Sequence, residues 1–163
     1  MTCTTAPTSD ISQCDAKTQY GVAVILLTND GQVLLSRRSD MPSLLSKKKW
    51  QIINDTMYST ERSSSAAVRV VKSEVGIYIN EVDLSYIKGV YIPETNEFYY
   101  IYMVGIAKSK IPDIQLDMQN KHRGDWRWWK LEKSLVLDVI SGTRPILRGL
   151  YKSFLQVHHT GIH

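Results

Sequence analysis

Residues 55–77 of the chain read DTMYSTERSSSAAVRVVKSEVGI. The apolar residues within this stretch recur at spacings of three and four, which places them on one face of an α-helix. Gly76 follows the last of them and is an expected helix stop, because glycine readily adopts the left-handed conformation in which many helices end. The stretch therefore predicts an amphipathic helix from Glu61 to Val75, whose buried face is formed by Ala66, Ala67, Val70, Val71 and Val75.

The segments on either side of this helix have the β-branched and aromatic composition of strands. Asn29-Asp30-Gly31 is a turn signal between two of them and predicts a β-hairpin, and residues 93–96 predict the turn of a second hairpin. The predicted strands are Tyr20–Thr28, Gln32–Ser36, Trp50–Ile53, Leu84–Ile92, Glu97–Ile106 and Trp126–Leu131.

The last third of the chain contributes further helices. Residues 112–124 are polar and predict a loop. Helices are predicted over Glu132–Ile140 and Pro145–Val157, with Thr143 as the N-cap of the second one. The order of elements predicts an α+β fold in which helices pack on a mixed sheet.

The length of 163 residues is enough for one domain with a sizeable core and too short for two comfortable ones. Residues 1–18 contain no apolar run, so we expect a flexible tail there. Residues 19–163 are expected to form a single domain.

Composition narrows the class of protein and its compartment. The chain has 43% hydrophobic and 22% charged residues, and its mean hydropathy is -0.21, values typical of a globular protein in water. The longest apolar run, Val22–Leu27, is far shorter than the roughly 20 residues that span a bilayer. Residues 1–18 look like neither a secretory signal nor a transit peptide, so we expect a cytoplasmic or nuclear protein that is not secreted. The formal net charge of +4 favours anionic partners such as phosphates, nucleotides or RNA.

Six residues of the 55–77 stretch fall at the spacings of a known signature: Glu61, Arg69, Val71, Glu74, Gly76 and Ile77. With these residues the chain resembles the Nudix family, whose box reads Gly, five residues, Glu, seven residues, Arg-Glu-apolar, one residue, Glu-Glu, one residue, Gly-apolar. Three flanking features are also similar to the family. They are the end of the first predicted hairpin at Arg37-Arg38, the tryptophan before the box and the Trp128–Glu132 segment. Three box positions differ, because Asp55 replaces the first glycine and Val70 and Ser73 replace glutamates.

The resemblance implies a Nudix-type α/β/α sandwich with a mixed sheet. It also implies hydrolysis of a nucleoside diphosphate linked to another moiety, in which Mg²⁺ or Mn²⁺ assists the attack of water. The candidate catalytic residues are Glu74, Glu97 and Arg69, and the candidate metal ligands are Glu74 and Glu61.

The missing carboxylates bear on activity. Positions 70, 73 and 74 are three and four residues apart on the predicted helix, so their side chains are expected to share one face. A lone carboxylate such as Glu74 binds Mg²⁺ poorly until substrate phosphates or another acid complete the shell of oxygen ligands. We therefore expect weakened hydrolysis, and we expect that glutamate at positions 70 and 73 would recover metal affinity.

Several candidates have two interpretations. Arg69 either pairs with a nearby acid and braces the loop before the helix, or lies exposed. Glu61 either has a functional role or caps the start of the helix, where a negative charge is favourable. The acid that assists Glu74 is either Glu97 or an acid of the 112–124 loop, Asp113 or Asp117.

Basic and aromatic residues near the box are candidates for substrate binding: Arg37, Arg38, Lys49 and Trp128. The helix is also similar to that of isopentenyl diphosphate isomerase, a relative in which residues at the positions of Glu97 and Trp128 would face a carbocation. The cysteine that this isomerase needs is replaced by Asp55, which disfavours isomerase activity.

The alternative function is binding without catalysis. Lys47, Lys48 and Lys49 form a basic loop, and Trp126, Trp128 and Trp129 could stack on bases as in single-stranded RNA binders. A catalytically silent Nudix module could thus bind a nucleotide, RNA or a protein partner. Strand alternation puts Trp129 on the face opposite to Trp126 and Trp128, so at least one of these sets is expected in the core.

Overall fold

The structure is a computed structural model that describes residues 17–37, 49–115, 125–140 and 142–160. The described residues form a six-stranded mixed sheet with the strand order β4-β5-β1-β3-β2-β6. Its strands are β1 (Gln19–Thr28), β2 (Gln32–Arg37), β3 (Gln51–Thr56), β4 (Ser85–Ile92), β5 (Glu97–Ile106) and β6 (Asp125–Lys130).

The first turn forms as predicted, but the two strands that it joins soon separate. Gly31 has φ +86° and donates its N–H to the carbonyl of Thr28 at 3.0 Å. β1 and β2 pair at Leu27 and Val33, and beyond this point β3 lies between them and pairs antiparallel with both. The predicted hairpin is therefore the closed end of a three-stranded antiparallel unit.

β1 lies near the middle of the sheet and is covered on both faces. It pairs in parallel with β5 along its whole length, from Gln19 opposite Glu97 to Thr28 opposite Ile106. Residues 21–26 of β1 are all buried. Because both faces of the strand are covered, its sequence is a continuous apolar run without the alternation of apolar and polar residues seen in half-exposed strands. β4 and β5 form the predicted second hairpin, whose turn places Asn96 at φ 53°.

The helices α1 (Ser63–Val75), α2 (Leu131–Ser134) and α3 (Thr143–Thr160) flank the sheet. The five apolar residues expected on the buried face of α1 are all buried, and Gly76 ends the helix at φ 90°. The helix starts at Ser63, two residues later than predicted, because Glu61 is held in the preceding loop. None of these helices is long and apolar enough to cross a membrane.

Three predictions about the last third of the chain are wrong. Residues 111–115 are helical, although a loop was expected from position 112, and the rest of that segment to residue 124 lies outside the described residues. The helix expected over Glu132–Ile140 ends at Ser134, because Val139 pairs with Trp50 as an isolated bridge and Ile140 donates its N–H to the Trp50 carbonyl at 3.1 Å. Thr143 is the first residue of α3 and not its N-cap.

The sheet separates two apolar clusters, so the molecule is an α/β/α sandwich and the predicted α+β fold is confirmed. The α1-side cluster lies between the sheet and α1 and includes Val22, Val24, Leu34, Ile53 and Val70. The α3-side cluster lies between the sheet and α3 and includes Ala23, Ile25, Leu35, Ile52 and Leu147.

Candidate active site and ligand cavity

The loop before α1 is braced by an ion pair. Arg69, one turn and a half into α1, donates from Nη2 to Glu61 Oε1 at 2.6 Å and from Nε to Glu61 Oε2 at 3.1 Å. The same Nη2 donates to the carbonyl of Thr56 at 2.8 Å, and the guanidinium lies 4.0 Å from the ring centre of Tyr58. Glu61 Oε1 also accepts the N–H of Tyr58 at 2.8 Å. Of the two interpretations of Arg69, the geometry corresponds to bracing of the loop.

The ionisation of this pair follows from its contacts. The hydrogen bond from Arg69 and the N–H of Tyr58 lower the pKa of Glu61, against the opposing effect of its burial. The hydrogen bond to Glu61 raises the pKa of Arg69. Both groups are therefore charged at neutral pH, and both carboxylate oxygens of Glu61 are engaged by Arg69.

The helix positions that carry glutamates in the family box have different environments here. Val70 is fully buried in the α1-side cluster, whereas Ser73 is exposed and Glu74 is half-buried. The Ser73 hydroxyl donates to the carbonyl of Val70 at 3.2 Å, so it is engaged with the helix backbone. The three positions thus do not present one exposed face, and Glu74 is the carboxylate that remains of this set.

Asp55 adds a carboxylate where the family box has glycine. It lies at the end of β3, and its Oδ1 accepts the N–H of Thr56 at 2.8 Å. The charge of Asp55 contributes to raising the pKa of both Arg69 and Tyr99.

A cavity of about 280 Å³ opens on the α3 side of the sheet. Its apolar wall includes Ala23, Ile52, Val90, Ile101 and Ile146. Its polar wall includes Lys49, Asn54, Glu94, Glu97 and Thr143. A concave, largely apolar site with a few polar groups is the usual form of a small-molecule site, and this volume is just below the roughly 300–1,000 Å³ typical of ligand pockets.

Glu97 faces this cavity together with Tyr99. The Tyr99 hydroxyl donates to Glu97 Oε2 at 2.7 Å. Burial of Tyr99, followed by the hydrogen bond to Glu97, raises the pKa of the phenol, so it stays protonated and remains a donor at neutral pH. Sequence analysis missed Tyr99, Asn54 and Thr143 as cavity residues; the two-residue spacing of Glu97 and Tyr99 on one strand could have indicated the first of them.

The residues expected to bind substrate are not gathered in one place. Lys49 lines the cavity. Arg37 lies elsewhere, with Nη2 2.6 Å from Asp125 Oδ2 and its guanidinium over the Trp50 ring at 4.7 Å. Arg38 lies outside the described residues, as do Lys47, Lys48 and Asp117.

Trp128 packs on the opposite face of the sheet from the cavity. It belongs with Trp126 to the α1-side cluster, whereas Trp129 packs on the α3 side. There Trp129 meets Trp50 edge to face, with ring centres 5.3 Å apart. The predicted alternation of the tryptophans is confirmed, and Glu97 and Trp128 do not face a common ligand.

The placement of the acidic residues bears on the expected Mg²⁺ or Mn²⁺ site. In the described part of the chain, no three His, Cys, Asp or Glu side chains come together in a way that could hold a metal ion. Mg²⁺ prefers near-octahedral oxygen coordination and keeps several waters, with one or two carboxylates and substrate phosphates as its usual partners. The side chains of the described residues alone therefore do not form a site for a resident Mg²⁺.

The sandwich fold, the braced loop and the glycine-terminated helix define a Nudix-type domain. The family model of the NUDIX domain matches residues 17–150, and the chain belongs to this family. No curated protein matches the chain by sequence.

Solved structures share the fold at low sequence identity. A mutT/nudix family protein from Listeria innocua superposes with a TM-score of 0.63 at 16% identity, covering 87% of this chain and 97% of that one. The NUDIX domain of Shewanella oneidensis NrtR, in complex with ADP ribose, has a TM-score of 0.62 at 13% identity and covers 91% of this chain and 99% of its own. The C-terminal domain of mouse MUTYH, in complex with human PCNA, has a TM-score of 0.57 at 15% identity over 83% of this chain and 88% of that one.

Proposed function

We propose that this Nudix domain binds a nucleoside diphosphate linked to another moiety and hydrolyses it slowly. One observation carries the proposal: the loop brace between Arg69 and Glu61 is intact, while buried Val70 and backbone-bonded Ser73 occupy carboxylate positions of the box. The scaffold of a Nudix site is therefore proposed to remain, with two of the four glutamates of the box replaced. Arg69 is a positioning residue in this proposal, because it acts through the loop.

The cavity chemistry indicates which end of the ligand enters it. The carboxylates of Glu94 and Glu97 line the cavity, and they would repel a diphosphate. They can instead accept hydrogen bonds from ribose hydroxyls or base amino groups, while the apolar wall covers the ring faces. Lys49 is the cation among the described lining residues and is the candidate partner for the phosphates.

The structure of the NrtR domain with ADP ribose supports this choice of ligand class. ADP ribose is itself a nucleoside diphosphate linked to a sugar, so it is a suitable first probe. The expected cofactor, Mg²⁺ or Mn²⁺, has no protein-only site among the described residues, and Glu74 stays the candidate ligand for it.

Turnover of ADP ribose and other nucleoside diphosphate compounds is expected to be slow, with or without Mg²⁺. The common enzyme median is about 10 per second, and losing charged catalytic groups lowers rates by roughly a hundredfold or more, so we expect less than about 0.1 per second. Glu74→Gln should lower any remaining rate at least tenfold while shifting Tm by no more than about 2 °C. Turnover near the median, or an unchanged rate in Glu74→Gln, would contradict these expectations.

Replacing Lys49 with methionine is expected to weaken ADP-ribose binding by a factor of about 10 to 100, because a charge-assisted contact to phosphate contributes roughly 1.5 to 3 kcal/mol. Isothermal titration calorimetry of the purified protein measures this directly. Lys88→Met removes an exposed lysine of β4 that does not line the cavity, and is the control. Equal affinities for the two variants would show that Lys49 does not contact the ligand.

A catalytically silent module is the second candidate, and burial of Val70 is the observation that favours it. The test separates the two. Binding of ADP ribose with no detectable turnover at any Mg²⁺ or Mn²⁺ concentration supports the silent module, whereas slow turnover that depends on Glu74 supports the enzyme. The complex of the similar MUTYH domain with PCNA supports a protein partner as an extension of this candidate.

A further inference from the structure

Helix α3 carries cations and no acidic residue. Its sequence, TRPILRGLYKSFLQVHHT, contains Arg144, Arg148 and Lys152, which are all exposed. These residues are spaced by four, so they follow one another along a single side of the helix. At a rise of about 1.5 Å per residue the row is about 12 Å long. We call these three residues the α3 basic row.

The charges of this row are not neutralised locally. In the described part of the chain, neither Arg148 nor Lys152 has an ion-pair partner. The Arg144 guanidinium donates to the carbonyl of Leu137, a neutral acceptor that leaves its charge in place. On the neighbouring helix α2, Glu132 and Lys133 offset each other.

The opposite side of α3 is already occupied. Ile146 and Leu147 are buried in the α3-side cluster, and Leu150, Tyr151 and Phe154 pack against it. An amphipathic helix binds a membrane by burying its apolar side in the lipid. Because this side of α3 contacts the sheet, it is not available to insert into a membrane.

Gly149 lies next to Arg148 and leaves the helix backbone uncovered. A Cβ built at this position would have no atom within 4 Å, so packing inside the protein does not require glycine here. Glycine in a helix interior is destabilising relative to alanine. A residue that weakens the helix and has no internal packing role is typical of a position that another molecule approaches closely.

We propose that the α3 basic row binds the phosphodiester backbone of single-stranded nucleic acid, with Gly149 allowing the strand to approach the helix. A linear row of cations matches a linear polyanion, and a flexible strand can follow it along the convex helix. A duplex is stiff over about 150 base pairs and meets a convex surface at fewer phosphates. None of the three residues of the row lines the ligand cavity, so the proposal goes beyond the function proposed above.

The test uses fluorescence anisotropy of labelled oligo(U) and oligo(dT) at several salt concentrations. Both probes should bind, because the row contacts phosphates and not bases. In Arg148→Ala/Lys152→Ala, the slope of log affinity against log salt should become less negative by about 1.4, or about 0.7 per lost phosphate contact. Lys88→Ala/Lys110→Ala removes the same charge elsewhere on the surface and should leave the slope nearly unchanged.

Gly149→Gln tests whether the strand approaches the helix closely at this position. Because the substitution leaves the net charge unchanged, an effect on binding cannot come from general electrostatic attraction. Glutamine is the better helix former, so Tm should rise, while the larger side chain should weaken oligonucleotide binding several-fold. ADP-ribose binding should be unaffected, which distinguishes failure of this proposal from failure of the cavity proposal. An unchanged slope in the double variant, full binding by Gly149→Gln, or preference for a duplex or for anionic phosphatidylserine vesicles would overturn the proposal.

Discussion

Val70→Glu is expected to destabilise the protein by about 3 to 5 kcal/mol, the usual effect of an uncompensated charge in the interior. Val70 is fully buried between α1 and the sheet, where its neighbours are apolar. A carboxylate there loses its hydration, and part of the effect remains if it becomes protonated, because the acid still needs hydrogen-bond partners. Urea denaturation followed by circular dichroism measures the change in unfolding free energy.

Ser73→Glu is the matched control, since Ser73 is exposed on the same helix. Its expected effect on unfolding free energy is within about 0.5 kcal/mol, as for most surface substitutions. A Val70→Glu protein that is as stable as Ser73→Glu would show that position 70 can turn its side chain out of the core. If Val70→Glu is the less stable variant, as we expect, glutamates cannot be restored at both positions 70 and 73 without loss of stability.

Val70 also shows why sequence predicted the fold better than the site. Its apolar spacing placed it on the buried face of α1, whereas the box alignment placed it with Glu74 on a metal-binding face. Both predictions use the same helical periodicity, and only packing against the sheet decides between them. The structure agrees with the apolar pattern, which depends on local sequence, and this is why the strands and α1 could be predicted.

The ligand cavity could not be predicted from local patterns. Its walls come from β1, β3, β4, β5 and the start of α3, segments that are far apart in the chain. The insertion of β3 between β1 and β2 brings Asn54 beside Ala23 and thereby forms one of these walls. A long-range contact also explains why α2 is shorter than predicted. The bridge between Trp50 and Val139 outweighs the local helix propensity of the residues after Ser134.

Arg69→Met is expected to reduce the unfolding free energy by about 2 to 3 kcal/mol, because hydrogen bonds to charged groups contribute roughly 1.5 to 3 kcal/mol and Glu61 would lose its partner. The side chains of Arg69 and Glu61 are only 26% and 16% exposed, so water replaces the lost contact poorly. Arg62→Met breaks the pair with Glu81, whose side chains are 77% and 37% exposed, and should cost less than about 1 kcal/mol. Equal effects of the two variants would contradict a bracing role for Arg69.

The same ion pair predicts a dependence on pH whose sign follows from Glu61. Its pKa is lower in the folded protein, so the pair stabilises the fold above the unfolded pKa of about 4.3 and stops doing so as pH falls through the folded value. The stability difference between wild type and Glu61→Gln should therefore be full at pH 7 and shrink as the pH is lowered below about 4. Urea denaturation at pH 7, 5 and 3 measures it. An ionised carboxylate paired with Arg69 must lose its contribution to stability when it is protonated. A stability difference between wild type and Glu61→Gln that stays constant from pH 7 to pH 3 would therefore mean that Glu61 stabilises the loop by its shape and by neutral hydrogen bonds.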